Sequence, residues 1–371
     1  MILVTKNLKS FGWWLGLSLA LLVSVTADFF AEWLGIIVFG FKKSPISAIM
    51  IAITIGIIIA NASNLPRNIQ SGLKFCTSFI LRLGIMLLGI RLSLIGVGQF
   101  ALIALPFVII TILVGLFTIG FIGRRMGLPT QLCGLIAVGS SICGCSAIVA
   151  TAPLIKANES EVSYSVACIT IFGLVAMLIY PIIAHHLFSS QPELAGLFLG
   201  TSIHETAQVT GAAMIYEAQY NAPITLDVAT VTKLVRNLCM LFLIPLVGIL
   251  YSPKSIINER KQINYLNFVP WFIIGFAAMS ALRTIGDMGN IPFGLFDSSQ
   301  WMELVLFIKE TSEQLLLLAM AAVGLTTTFD GIIKIGIAPF ILGLFSAILI
   351  GGVSLTLINL FASDLISLLI I

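Results

Sequence analysis

Apolar stretches long enough to cross a lipid bilayer follow one another along almost the whole chain. A helix needs roughly 20 apolar residues to span a hydrocarbon core of ~30 Å, because each residue adds ~1.5 Å. Of the 371 residues, 59% are hydrophobic and only 9% are charged, so a soluble fold would expose more apolar surface than water tolerates. The sequence therefore predicts a polytopic membrane protein whose principal surroundings are the lipid bilayer.

The apolar stretches number eleven, and their lengths predict helices. They cover 11–27, 45–61, 73–92, 98–123, 128–154, 162–184, 194–216, 228–250, 268–285, 302–326 and 335–361. Backbone polar groups cannot stay unpaired in lipid, and a β-barrel would show short alternating segments instead. We expect an all-α fold with about 9–11 transmembrane helices.

Charge and cysteine usage exclude several other classes of protein. The net charge is only +3, which provides no basic field for nucleic acid. All six cysteines fall inside apolar segments, where a free thiol packs as a small buried residue. The sequence predicts no disulfide framework, no metal site and no cofactor.

Parts of the chain repeat in a way that is typical of transporters. The pair Pro106-Phe107 recurs as Pro339-Phe340, 233 residues later, and similar spacings relate 45–123 to 268–361. An odd number of segments separates the two copies, so they would have opposite orientations in the bilayer. Inverted repeats of this kind are a signature of secondary transporters. We expect 1–371 to form a single transmembrane transporter unit.

A second pair, 128–184 and 194–250, carries polar interruptions. Gly139-Ser140-Ser141-Ile142 resembles Gly200-Thr201-Ser202-Ile203, which lies 61 residues further along. Each motif interrupts an apolar run with a glycine followed by two hydroxyls. The pattern predicts two broken helices, and it leaves open whether each helix crosses the membrane or forms a re-entrant hairpin.

The two interruptions predict a site for an anion. Glycine permits a helix to break, and serine or threonine caps the helix that resumes, whose N–H groups and positive dipole end favour an anion. On this interpretation the substrate-binding residues are Gly139, Ser140, Ser141, Ser146, Gly200, Thr201 and Ser202. The alternative is that these small residues only allow close helix packing.

The second motif continues as GTSIHETAQVTGA, which gathers titratable groups in an apolar region. A charged side chain inside a membrane usually faces a cavity or a partner. His204 and Glu205 are therefore predicted to couple transport to protons, and Gln208, four residues after His204, is predicted to bind substrate. The alternative is a neutral histidine bonded to a carbonyl group, with Glu205 paired to a lysine.

Two basic residues in VTKLVRN lie three positions apart on one helical face. Lys233 and Arg236 are predicted substrate-binding residues, one pairing with Glu205 and the other offering positive charge to an anion. The alternative is snorkelling toward the interface. Structural roles are predicted for the remaining polar residues within the apolar segments: Arg82, an i,i+4 pair of Lys309 with Glu313, and helix caps at Asn61 and Asn64.

Five stretches together resemble a known family: LRLGIMLLGIRLSL, GSSICGCSAIVA, GTSIHETAQVTGA, VTKLVRN and MAAVGLTTTF. In order and over nearly the whole chain, they are similar to the YeiH-type sulfate exporter family of bacterial inner-membrane proteins. The resemblance implies a scaffold domain, a mobile core domain with two broken helices, and an elevator-like movement. It places the functional motifs at 139–146, at 200–208, and at Lys233 and Arg236, and a homodimer through the scaffold would suit it.

The sequence thus favours a secondary active transporter of a small inorganic anion of the sulfate or sulfite type. Export would be coupled to protons by an elevator-type alternating-access mechanism in the bacterial inner membrane. The alternative is a sodium- or proton-coupled transporter of an organic anion such as a sulfonate or a carboxylate. An intramembrane enzyme is least favoured, because no nucleophile with its base and no metal motif occurs.

Overall fold

A computed structural model describes residues 11–38, 47–63, 65–251, 271–288, 292–328 and 337–369. Fourteen helices account for nearly all of this part of the chain. They are α1 (Phe11–Glu32), α2 (Ala48–Ala62), α3 (Gln70–Arg91), α4 (Leu94–Arg125), α5 (Thr130–Ser141), α6 (Cys145–Thr151), α7 (Glu159–Phe188), α8 (Pro192–Ser202), α9 (Thr206–Tyr220), α10 (Pro223–Leu238), α11 (Met240–Tyr251), α12 (Trp271–Gly286), α13 (Ser298–Thr326) and α14 (Ile337–Leu369). The predicted all-α polytopic fold is confirmed.

Each of the eleven apolar segments is helical in its described part, and three of them are interrupted. The segments at 128–154 and 194–216 are split into α5 with α6 and α8 with α9, as the glycine-hydroxyl motifs predict. The segment at 228–250 is split into α10 and α11, which are bent by 45°. Whether the first two interrupted segments cross the membrane or re-enter it stays a prediction, as does the arrangement in inverted repeats.

Five of the described helices are long and apolar enough to span a membrane by themselves, and six spans result if the bent pair counts as one. They are α1, α3, α4, α7 and α14. Two shorter apolar helices, α2 and α12, contain 15 and 16 residues. By length and composition these helices make the chain a multi-pass membrane protein.

The chain divides into two compact units. Unit 1 comprises 1–97, 214–221 and 271–329, and unit 2 comprises 98–213, 222–270 and 330–371. Helix α9 contributes its N-terminal part to unit 2 and its C-terminal part to unit 1.

Within unit 1, close contacts between glycines bring helices together. A Cβ atom on Gly56 of α2 would lie 2.7 Å from the backbone nitrogen of Leu325, and one on Gly324 of α13 would lie 2.5 Å from the carbonyl oxygen of Ile53. Gly16 of α1 and Gly72 of α3 meet in the same way. Small residues allow such backbone contact, which replaces the hydrophobic driving force that lipid does not provide.

Unit 2 has an apolar core formed by α4, α5, α6, α11 and α14. Its fully buried members include Ile112, Leu135, Ile148, Ile244 and Ile350. Helix α8 packs on α10 through a second set of glycine contacts: a Cβ atom on Gly196 would lie 2.7 Å from the carbonyl oxygen of Thr225. This packing brings the end of α8 beside the C-terminal part of α10, where the basic residues lie.

Candidate functional site

Two helix breaks in unit 2 define the candidate site. Helix α5 ends at Ser141 and α6 begins at Cys145, while α8 ends at Ser202 and α9 begins at Thr206. A helix that ends inside an apolar unit leaves its last carbonyl groups without intrahelical donors, and the helix that follows leaves its first N–H groups without acceptors. Each break therefore exposes backbone polar groups that need partners.

The breaks come three residues later than the sequence predicted. The glycines and hydroxyl residues of both motifs are the last three residues of α5 and α8, not caps of the resumed helices. The Thr201 hydroxyl donates to the carbonyl oxygen of Leu197 at 2.7 Å, and the Ser202 hydroxyl to that of Phe198 at 2.5 Å. Serine and threonine within a helix commonly bond the carbonyl group four residues earlier, which explains the misplaced caps.

The two motif glycines allow packing instead of breaking the helices. A Cβ atom on Gly139 would lie 2.7 Å from the side chain of Ile148 in α6, and one on Gly200 would lie 2.6 Å from that of Thr232 in α10. The residue that breaks the first helix is Gly144, whose backbone angles are φ 67° and ψ −130°. Only glycine adopts this region without strain.

Lys233 connects the two breaks. Its ammonium group donates to the carbonyl oxygens of Ile142 at 3.1 Å, Ile203 at 3.0 Å and His204. These three bonds use all three protons of the ammonium group. Lys233 is 1% exposed, so it lies inside unit 2 rather than snorkelling to its surface.

Arg236, one helical turn further along α10, makes four more bonds of the same kind. Its Nε donates to the carbonyl oxygen of Ser141 at 2.8 Å, and its Nη1 to those of Thr201 at 2.7 Å and Ile203 at 3.1 Å. Its Nη2 donates to the carbonyl oxygen of Ser140 at 2.5 Å. Arg236 is fully buried, and these bonds use four of its five N–H donors.

The two cations thus satisfy six carbonyl oxygens at the ends of α5 and α8 and in the breaks that follow. A cation at a helix C-terminus also complements the negative end of the helix dipole. The predicted ion pair with Glu205 is wrong: within the described residues, neither Lys233 nor Arg236 has a carboxylate within 4.0 Å. Lys233 and Arg236 bond backbone carbonyl groups instead of the expected carboxylate, because these carbonyl groups have no donor within their own helices.

His204 lies in the second break and is 1% exposed. Its Nδ1 lies 3.0 Å from the carbonyl oxygen of Ser140, the atom that also accepts from Arg236. Because a carbonyl oxygen can only accept, Nδ1 must carry a proton to form a hydrogen bond. A neutral His204 ring bonded in this way has its proton on Nδ1. The geometry matches the bonding of the neutral-histidine alternative, and proton coupling through His204 stays a prediction.

Glu205 and Gln208 belong to a second cluster, on the partly exposed side of the breaks. The Glu205 carboxyl group lies beside the Cys145 thiol, whose sulfur is 3.7 Å from the Thr170 hydroxyl. The Gln208 Nε2 donates to the carbonyl oxygen of Thr170 at 3.1 Å. Thr170, from α7, therefore joins the two breaks. An isolated threonine in an apolar helix carries no sequence signal, so this role was not predicted.

The other predicted site residues have varied surroundings. Ser146 is exposed at the start of α6. The hydroxyl oxygens of Ser140 and Ser141 are buried without a hydrogen-bond partner in the described part of the chain. The Thr201 hydroxyl lies 2.5 Å from that of Ser354, so α14 also contacts this region. Nothing in the sequence around Ser354 had indicated that contact.

Unit 1 holds a separate polar cluster, centred on Arg91. Its Nη2 lies 3.0 Å from a carboxylate oxygen of Glu217, and its Nη1 lies 3.3 Å from one of Glu313. Lys309 lies 3.9 Å from the same Glu313 oxygen, which confirms their predicted contact. A cavity of about 470 Å³ opens beside this cluster, lined also by Asp28. Arg91 was overlooked because it lies at the end of the apolar segment 73–92, where it resembles an interfacial residue.

The fold and these two clusters define a class: a multi-pass, all-helical membrane protein with two broken helices joined by buried basic side chains. Comparison with known proteins identifies the family. The chain belongs to the family described as Conserved hypothetical protein 698, whose model matches residues 15–343. That match confirms the resemblance to the YeiH-type family.

Bacterial relatives agree with this assignment. A UPF0324 membrane protein of Bacillus anthracis is 29% identical over 346 residues, covering 93% of this chain and 94% of the relative. A UPF0324 membrane protein of Fusobacterium nucleatum is 32% identical, covering 81% and 85%, and one of Streptococcus pneumoniae is 33% identical, covering 80% and 85%. All three relatives are named as membrane proteins, and the chain aligns with most of each.

Proposed function

We propose that this protein is a secondary active transporter of a small inorganic anion of the sulfate or sulfite type, which exports the anion from bacteria across the inner membrane. The observation that carries the proposal is the pair of helix breaks joined by Lys233 and Arg236. Broken helices that meet inside a membrane protein form the substrate and ion sites of many transporters. An elevator-type movement and a homodimer are part of the proposal.

The charge of the cluster favours an anion. Lys233 and Arg236 together carry two positive charges, and Glu205 carries at most one negative charge. Buried charge is costly unless it is compensated, and the carbonyl groups that bind the cations are dipoles without net charge. An anion bound at the breaks would bring the cluster closer to neutrality.

Protons are the coupling ion that the cluster supports better than sodium. Sodium would require oxygen ligands from the unwound backbone, but Lys233 and Arg236 already bond six of those carbonyl oxygens. Glu205 is partly exposed, whereas His204 is 1% exposed, so Glu205 is the more accessible of the two titratable groups. We therefore assign the coupling role first to Glu205.

Two other functions compete with this proposal. A sodium- or proton-coupled transporter of an organic anion would share the same breaks and would differ only in the space that the substrate needs. An intramembrane enzyme is less favoured. It would need a nucleophile activated by a base, but His204 Nδ1 faces a backbone carbonyl group and, within the described residues, the Cys145 thiol has only the Glu205 carboxyl group beside it as a base.

Flux in proteoliposomes tests the proposal. Purified protein would be reconstituted and the uptake of labelled sulfite and sulfate measured with and without an imposed pH gradient. We expect saturable flux that the gradient accelerates, and Glu205→Gln should abolish the acceleration. Glu303→Gln, an exposed glutamate in α13, is the matched control. Absence of flux with both anions, or a gradient effect that survives in Glu205→Gln and His204→Ala, would contradict the proposal.

A further inference from the structure

The side-chain amide of Gln208 has a fixed orientation. Its Nε2 donates to the carbonyl oxygen of Thr170 at 3.1 Å, and exchanging the two amide atoms would set two oxygens against each other. The amide oxygen, Oε1, therefore points away from Thr170. It lies over Gly173 of α7, where an added Cβ atom would come within 1.9 Å of it. Position 173 must remain a glycine for Gln208 to occupy this place.

This amide oxygen is buried and has no hydrogen-bond partner in the described part of the chain. Gln208 is 1% exposed, so no direct contact with bulk water compensates for the missing donor. An unpaired buried acceptor costs about 1–3 kcal/mol, and native proteins usually pair such an atom with a donor from the protein, from water or from a ligand. The amide oxygen is therefore available to a donor that a ligand brings.

The groups around Gln208 connect it to the partly exposed face of the breaks. Thr170 holds its amide and contacts the Cys145 thiol, which lies beside the Glu205 carboxyl group. Thr170, Cys145 and Glu205 are all partly exposed, so this cluster lies nearer the protein surface than Lys233, Arg236 and His204 do. The first N–H groups of α9, which have no acceptor within the helix, begin at the residue after Glu205.

The donors of the two cations are almost fully used by the backbone. Lys233 has no proton left, and Arg236 retains one of its five N–H groups. An anion at the breaks thus gains long-range attraction from both cations but meets an unpaired amide oxygen and a carboxyl group. An anion that has only acceptor atoms would leave the Gln208 oxygen unpaired. An anion that retains an acidic proton would satisfy it.

We infer that the substrate is an oxyanion that carries a proton, and that Gln208 Oε1 accepts a hydrogen bond from it. This inference rests on the proposed function and refines its substrate class: hydrogen sulfite fits and sulfate, which has lost both protons at neutral pH, does not. The amide oxygen acts as the specificity element, because a site built to bond a donor rejects an analogue that lacks it.

Three probes separate the effect of the proton from that of the charge. Hydrogen sulfite is a monoanion with a proton, sulfate is a dianion without one, and methanesulfonate is a monoanion without one. Half-saturation concentrations for flux would be measured in proteoliposomes, and dissociation constants in detergent. We expect sulfite to bind at least about tenfold more tightly than either other probe, which corresponds to ~1.4 kcal/mol. The apparent affinity for sulfite should fall as rising pH removes its proton.

Gln208→Met removes the acceptor at similar size and should reduce the preference for sulfite over methanesulfonate about tenfold. Gln219→Met is the matched control, since Gln219 lies on the same helix with an amide oxygen that is also buried and unpartnered. Equal binding of sulfite and methanesulfonate, or a preference that survives in Gln208→Met, would overturn the inference. Selective binding of sulfite without any flux would support the inference about the substrate and would contradict the proposed transport function.

Discussion

The carbonyl oxygens of Ser140 and Thr201 accept hydrogen bonds from one guanidinium group, that of Arg236. The two residues lie 61 positions apart, at the next-to-last position of α5 and of α8. Lys233 bonds a second pair with the same separation, Ile142 and Ile203. Each cation therefore contacts equivalent positions of the two glycine-hydroxyl motifs, and α10 serves as the shared support of both helix ends.

Truncating Lys233 should leave the carbonyl oxygens of Ile142 and His204 unpaired, while that of Ile203 keeps its hydrogen bond from Arg236. Lys233→Ala is expected to lower the free energy of unfolding by about 2–6 kcal/mol, because each unsatisfied buried acceptor costs about 1–3 kcal/mol and two are left. Propylammonium, which replaces the missing atoms, should partly restore the melting temperature of the detergent-purified variant. Lys309→Ala, at a partly exposed lysine, is the control. It should lose little stability, and propylammonium should not change its melting temperature. A variant that propylammonium does not stabilise would argue against the three bonds.

Replacing Arg236 by lysine should not preserve its hydrogen bonds to the four carbonyl groups. An ammonium group has at most three donors, and it cannot reach four carbonyl groups that the planar guanidinium group bonds from different sides. Arg236→Lys should therefore lose at least one of these four hydrogen bonds and cost about 1–3 kcal/mol, measured by thermal melting. Arg125→Lys, at an exposed arginine over the Phe121 ring, should change stability by less than about 0.5 kcal/mol. Equal losses in the two variants would contradict this assignment.

Gly144 should not tolerate a side chain. Its φ of 67° disfavours any other residue, and an added Cβ atom would lie 3.2 Å from that of Glu205. Gly127 has a similar φ of 75°, but no atom lies within 4 Å of an added Cβ atom there. Gly127→Ala should thus show only the backbone strain, about 1–3 kcal/mol, and Gly144→Ala a larger loss of stability together with altered flux. Thermal melting and transport assays would compare them, and indistinguishable variants would show that the contact with Glu205 is unimportant.

Acid should weaken a contact at the end of α12. Burial raises the pKa of Asp287, but hydrogen bonds from Arg283 and from the Trp301 indole outweigh it and hold the pKa below its ordinary value of 3.8. A carboxyl group with a lowered pKa contributes stability above its unfolded pKa, and the contribution disappears as pH falls through the folded pKa. Wild type should therefore melt at a higher temperature than Asp287→Asn at neutral pH, and the difference should vanish in acid. A pH-independent difference would exclude ionisation of Asp287 as its cause.

Much of the fold could be predicted from the sequence, because a chain in lipid must pair its backbone polar groups within helices or closed barrels. Eleven apolar segments predicted helices, and all eleven are helical where they are described, since an unpaired backbone in hydrocarbon is too costly. Residues that bear charge in an apolar region, such as Lys233 and Arg236, stood out for the same reason and were correctly singled out as unusual.

The sequence by itself determined that the chain is helical and membranous and that two helices are interrupted close to the glycine-hydroxyl motifs, because these properties depend on local composition and on the cost of polar groups in lipid. Only the tertiary structure decided the partners. Lys233 and Arg236 bond carbonyl groups instead of Glu205, and Gly144, not Gly139, carries the break. Thr170 and Gln208 meet across two helices that are distant in sequence. Such pairings depend on which helix ends are left unsatisfied after packing, and no local pattern encodes them.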